Sequence, residues 1–250
     1  MEISEHIDAL AGHGEGLAAA ADKAGSAADV PTCPGWTVRH LLEHVGKVHR
    51  WAATYVRDGR EAFGGGLPRM AKPPADGLLE WYLTGHAELV AALRAAPADL
   101  DCWTFLPAPS PLAFWARRQA HETAIHRADA DAASGTVLAF DPPFAADGIG
   151  ELFDGFYARR GGTLLADPPR SLLVAPIDDE RRWHLTIGPD RRRVGTGGEP
   201  AVPPADCTVR GPAADLYLLL WNRPPARQPQ VDGDADVLRL WRELAKITWR

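Results

Sequence analysis

Residues 37–57 set Thr37, Leu41, His44, Val48, Trp51 and Tyr55 along one narrow stripe of a helix turning about 100° per residue. No other feature restricts the fold as much. The turn Pro34-Gly35-Trp36 precedes this stretch, Thr37 is placed to accept one of its first backbone amides, and Gly59 is placed to close it. Three further stretches repeat the period: residues 3 to about 28, 77–96 and about 112–132. A Gly/Pro-rich loop over residues 64–74, Pro97, and a loop holding Pro107, Pro109 and Pro111 separate them. Four helices of this length predict a bundle.

Beyond a boundary placed at residues 134–142 the pattern changes. A helix is expected over about 143–160, then strands at 171–175, 183–187 and 207–210, with Gly188-Pro189-Asp190 turning into a further run at 191–194. Residues 213–221 are almost wholly apolar and predict a buried helix, whereas 234–248 alternate apolar with charged residues as a surface helix does. The chain reads as α+β in two domains, residues 1–138 and 139–250.

Hydrophobic residues make up 46% of the chain and charged residues 24%, enough for a core that needs neither disulfides nor a structural metal. A metal, if bound, is then available for function. The net charge of -6 and the single short basic run at 191–193 argue against a nucleic-acid partner. No apolar run approaches the roughly 18–20 residues needed to span a bilayer, so no membrane association is expected. Without a basic segment leading into an apolar one at the N-terminus, a cytoplasmic protein is expected, as monomer or homodimer. Cys33, Cys102 and Cys207 are odd in number and lack CxxC spacing, which suits reduced, structural thiols; only Cys33, just ahead of a helix start, approaches a catalytic placement.

His44 lies in the middle of the apolar stripe, where an imidazole has to find a partner. On the same wheel His49 falls on the opposite side and His40 at the margin. The fourth helix offers Glu122 and His126, four residues apart and so stacked on one face with Trp115, Arg118, Gln119 and Asp129, while His121 points elsewhere. Two imidazoles and a carboxylate suit Zn²⁺ and leave a coordination position open, although other divalent ions accept the same ligands. Spacing alone equally permits a hydrogen-bonded core histidine, a solvated Glu–His pair, or a competing pair of His40 and His44. Arg118 and Asp129 could orient a ligand or pair with a substrate, or form an ordinary salt bridge, and Trp36 could line the pocket or only anchor packing.

The stretch from Val30-Pro31-Thr32-Cys33-Pro34-Gly35-Trp36-Thr37 through His44, and again Arg118-Gln119-Ala120-His121-Glu122-Thr123-Ala124-Ile125-His126-Arg127-Ala128-Asp129, resemble the mycothiol-dependent maleylpyruvate isomerase family in order and spacing. The resemblance implies a helical bundle of the DinB type followed by a smaller α+β domain similar to sterol carrier proteins. It implies His44, Glu122 and His126 as ligands of a divalent metal, usually zinc, and mycothiol as co-substrate, with an electrophile isomerised or conjugated. It also implies a binding role for an arginine near the end of the second domain, for which Arg223 in Leu220-Trp221-Asn222-Arg223 is the matching position, with the family's glycine absent. Two other classes remain compatible with the residues: a metal- or lipid-binding protein without turnover, and a metal-dependent hydrolase using Glu122 as general base.

Overall fold

The computed structural model describes residues 1–64, 73–74, 76–159, 163–190, 192–196 and 204–247. The chain forms two compact units, Met1–Leu138 and Ala139–Arg250, in an α+β fold. Most of the Gly/Pro-rich loop expected at 64–74, together with Arg191, lies outside the described residues.

The first unit holds four long helices: α1 (Ile3–Ala24), α2 (Val38–Asp58), α3 (Leu78–Ala95) and α4 (Pro111–Ala133). Each of α1 and α2 packs against both α3 and α4. Their ends follow local chemistry. Ser110 Oγ accepts the Ala113 amide at the start of α4, and Gly59 adopts a left-handed φ of 59° to end α2. At the start of α2 the Thr37 amide donates to Nδ1 of His40 at 3.1 Å. His40 is therefore an exposed cap, not a partner for His44. The stripe on α2 is buried at Leu41, Val48, Trp51 and Tyr55. Contrary to expectation, His49 is buried too, with Nε2 2.8 Å from Oγ1 of Thr123. The reason is that α2 has two packed faces: His49 lies between the α4 contact and the ring of His86 on α3, 5.2 Å away.

In the second unit α5 (Pro142–Gly150) runs on as a π-helical segment, Glu151–Tyr157, where a single α-helix was expected. Gly148, Gly150 and Gly155 lower the resistance to that widening. The sheet has the order β3-β2-β1-β4-β5, built from β1 (Arg170–Pro176), β2 (Trp183–Ile187), β3 (Arg192–Thr196), β4 (Cys207–Gly211) and β5 (Gln230–Gly233). β1 and β4 run parallel and every other pair antiparallel. Leu172 and Val174, Leu185 and Ile187, and Cys207 and Val209 alternate inward, as half-buried strands require. β5 escaped the sequence reading because all four of its residues are exposed and carry no apolar alternation. α7 (Ala235–Leu244) is shorter than its charge pattern suggested.

The apolar helix α6 (Ala213–Leu220) is buried as expected. It ends on a left-handed residue, Asn222 at φ 60°, with the Asn222 amide donating to Leu219 O and the Arg223 amide to Leu218 O. Asn222 thus occupies the backbone position for which glycine is usual, and its Nδ2 donates to Ala245 O. Asn222→Ala is expected to destabilise the protein by about 2 kcal/mol, combining left-handed strain with a lost hydrogen bond. Asn222→Gly, which removes only the latter, should cost about half as much. Chemical denaturation of the two variants measures the difference, and equal losses would contradict this account.

Candidate functional site

Residues of α2 and α4 meet around one carboxylate. Glu122 is 6% exposed, and its Oε1 lies 3.4 Å from Nε2 of His44 and 3.4 Å from Nε2 of His126. Its other oxygen, Oε2, accepts from Nη2 of Arg118 at 3.2 Å, one turn back on α4. One donor atom from each of His44, Glu122 and His126 lies within 4.8 Å of the other two. The two imidazoles stand at 76° with centroids 5.1 Å apart, and both remain partly open to solvent.

Asp129, fully buried, completes the arrangement from behind. Its Oδ2 accepts from Nδ1 of His126 at 2.9 Å, which turns Nε2 of that ring toward Glu122. Oδ1 accepts from the Thr32 hydroxyl at 2.5 Å, and Oδ2 also accepts from the Cys33 thiol at 3.4 Å. The loop carrying Thr32 and Cys33 is tight: the Val30 amide donates to Trp36 O, the Cys33 amide to Val30 O and the Trp36 amide to Cys33 O. This places the Trp36 indole edge-on to His44 at 5.2 Å and stacked against His126 at 6.5 Å. On the other side, Trp51 and Tyr55 of α2 pack with Trp115 of α4.

The electrostatics follow from these contacts. Burial pushes the Glu122 carboxyl up, but the hydrogen bonds to His126 and His44 and the Arg118 guanidinium outweigh it and hold the group well below the usual carboxylate range. Burial pushes His126 down, yet its bonds to Asp129 and Glu122 prevail and raise it to about 9. A carboxylate so firmly ionised, with both oxygens engaged, is better fitted to bind a cation than to accept a substrate proton.

The residues singled out from the sequence fall into two sets. His44, Glu122, His126, Arg118 and Trp36 come together in the first unit. Arg223 belongs to the second unit, where its Nη1 donates to Trp221 O at 2.7 Å and helps finish α6. Thr32 and Cys33 were not linked to Asp129 from sequence, because a loop has no period from which such a contact could be read. None of the three cysteines is in a disulfide.

Taken together, the fold and site define a four-helix-bundle protein with a His–Glu–His cluster at one helix seam and an appended α+β unit. Family models agree with that class. The mycothiol maleylpyruvate isomerase N-terminal domain matches residues 7–131, and the corresponding C-terminal domain matches residues 143–240. The chain belongs to the mycothiol-dependent maleylpyruvate isomerase family. Two crystal structures of mycothiol-dependent maleylpyruvate isomerase share the fold: a histidine-to-alanine variant, at TM-score 0.62, and a second structure of the enzyme, at 0.61. Each is 14% identical, with 93% of both chains covered. No curated protein matches the sequence.

Because the folded value of His126 lies above its ordinary 6.5, its charged form stabilises the metal-free protein below about pH 6.5, and that contribution is lost as pH rises through about 9. Asp129→Asn removes the charge behind the ring and leaves one acceptor oxygen where there were two. The His126 midpoint, followed by NMR titration of the metal-free protein, should fall by one unit or more; an unchanged midpoint would contradict the role given to Asp129.

Proposed function

We propose that the chain is a thiol-dependent isomerase that holds a divalent cation, with zinc the first expectation, through His44, Glu122 and His126, and that mycothiol is its thiol. The convergence of two imidazole Nε2 atoms on one carboxylate oxygen carries this reading. At 3.4 Å each contact is long for an N–H···O hydrogen bond. Ligands about 2.1 Å from a tetrahedral ion would stand about 3.4 Å apart, so the spacing that these long hydrogen bonds keep is also one that a shared cation would fit. Two nitrogens and one oxygen also leave a coordination position for a substrate.

A divalent ion held by His44, Glu122 and His126 would supply the positive charge that lets a small thiol, otherwise mostly protonated at neutral pH, give its proton to solvent. The protein's part is to fix the donors. Arg118 keeps Glu122 ionised and immobile, Asp129 fixes the tautomer and direction of His126, and Trp36 walls one side of the imidazole pair against water. The thiolate then adds to a cis double bond conjugated with a carbonyl, as in a maleyl compound. The C–S bond forms, the former double bond becomes a rotatable single bond, and expulsion of the same thiolate restores the double bond as trans. If the enolate left by the addition takes up a proton from solvent and does not expel the thiolate, the same addition amounts to thiol transfer. Among the described residues no helix is long and apolar enough to cross a membrane.

His44→Ala and Glu122→Gln should lose stoichiometric metal, read by elemental analysis, while circular dichroism stays unchanged, because the core does not depend on the ion and the glutamine amide oxygen still accepts from the buried Arg118. Maleylpyruvate should isomerise only with mycothiol added. Metal retained by His44→Ala would eliminate the ligand set. Hydrolysis without thiol would favour a hydrolase, and saturable binding of apolar ligands with no turnover a carrier.

A further inference from the structure

His126 has donors on both edges of its ring, and the chemistry above uses only one. On the far edge, Asp129 Oδ2 meets Nδ1 of His126 at 2.9 Å and Sγ of Cys33 at 3.4 Å. One donor atom from each of Cys33, His126 and Asp129 lies within 4.8 Å of the other two, as close a grouping as His44, Glu122 and His126 form. Cys33 sits in the hydrogen-bonded turn that ends at Trp36, so its sulfur is already placed. Thr32 occupies Oδ1 of Asp129 and leaves Oδ2 turned toward Cys33 and His126.

The two donor sets differ in chemistry. The first is two nitrogens and an oxygen with one negative charge. The second is a sulfur, a nitrogen and an oxygen that carry two negative charges once the thiol is ionised. Thiolate selects soft cations over hard ones. We propose that Cys33, Asp129 and Nδ1 of His126 form a second cation site, specific for thiophilic ions of the cadmium, mercury(II) and copper(I) class, and that its occupation takes His126 away from His44 and Glu122. As such an ion binds, the Cys33 S–H proton and the His126 Nδ1–H proton pass to solvent; Asp129 has none to lose. A neutral imidazole keeps one N–H. With Nδ1 ligated, that proton sits on Nε2 and points at Glu122, where the first site needs a lone pair. The two positions therefore exclude each other at neutral pH.

The inference shares His126 with the proposed function but not its other ligands, so the two are separable. Metal-free full-length protein titrated with Cd²⁺ should develop the ultraviolet sulfur-to-cadmium charge-transfer band at one equivalent. His44→Ala should develop it as well. Cys33→Ser keeps a donor to Asp129 and hence the turn; it should lose the band and bind Cd²⁺ about tenfold or more weakly. No band in the wild-type protein, or an undiminished band in Cys33→Ser, would overturn the second site. Zinc content that depends on His44 and not on Cys33 tests the first site alone, whatever cadmium does.

Discussion

A carboxylate with almost no access to water organises the bundle. Glu122 could not stay ionised at 6% exposure without partners, and the partners it takes fix the relation of two helices. Arg118 lies one turn back and His126 one turn ahead on α4, so these two hold the side chain along its own helix. His44 comes from α2 and sets the register between the helices at that height. Moving α2 by one turn would bring another residue of its stripe opposite Glu122 and leave a buried carboxylate short of a partner.

Toward the N-terminal side, the same seam is finished by a loop that has little freedom. The bridge between Asp29 and Thr37 and the three internal amide bonds close residues 29–37 on themselves, and the Thr32 and Cys33 side chains tie them to Asp129 of α4. Trp36 is consequently held against both imidazoles, and the start of α2 is fixed by the same turn that positions the indole. The loop, the helix cap and the back of His126 therefore form one mechanical unit. Thr32 thus shares the Asp129 carboxylate with His126, although it touches no residue of the cluster.

Helical period made much of this legible in the sequence. The interval of four between Glu122 and His126, and the central place of His44 on its stripe, survive any error of a residue or two in helix ends, which is why those three residues could be named together. Where the reading failed, a rule of one buried face per helix had been applied to a helix with two. His49 lies off the main stripe, yet α3 covers it. His40 sat near the stripe, yet its ring serves the backbone of Thr37. β5 had no alternation to read, and the π-helical widening after Gly150 has no sequence period distinct from that of an α-helix over so few residues. The family resemblance supplied Arg223, for which the contact to Trp221 O gives a structural explanation in this chain.

Stability offers no reason for this concentration of charge. Arg118, Glu122 and Asp129 are at most 6% exposed, and His126 is held near a doubly protonated state between two carboxylates. Replacing a buried ionic network by apolar side chains of similar volume is commonly neutral or stabilising, by about 1–4 kcal/mol. Apolar residues on the faces of α2 and α4 could pack this seam at least as well, as Trp51, Tyr55 and Trp115 do two to three turns away. What such packing could not provide is a set of donors that is ionised, oriented and still reachable from solvent on its imidazole side. The desolvation accepted here is offset within the network itself, where Arg118 and a protonated His126 face Glu122 and Asp129, and the partly open imidazoles are what would let the proposed cation meet a further ligand.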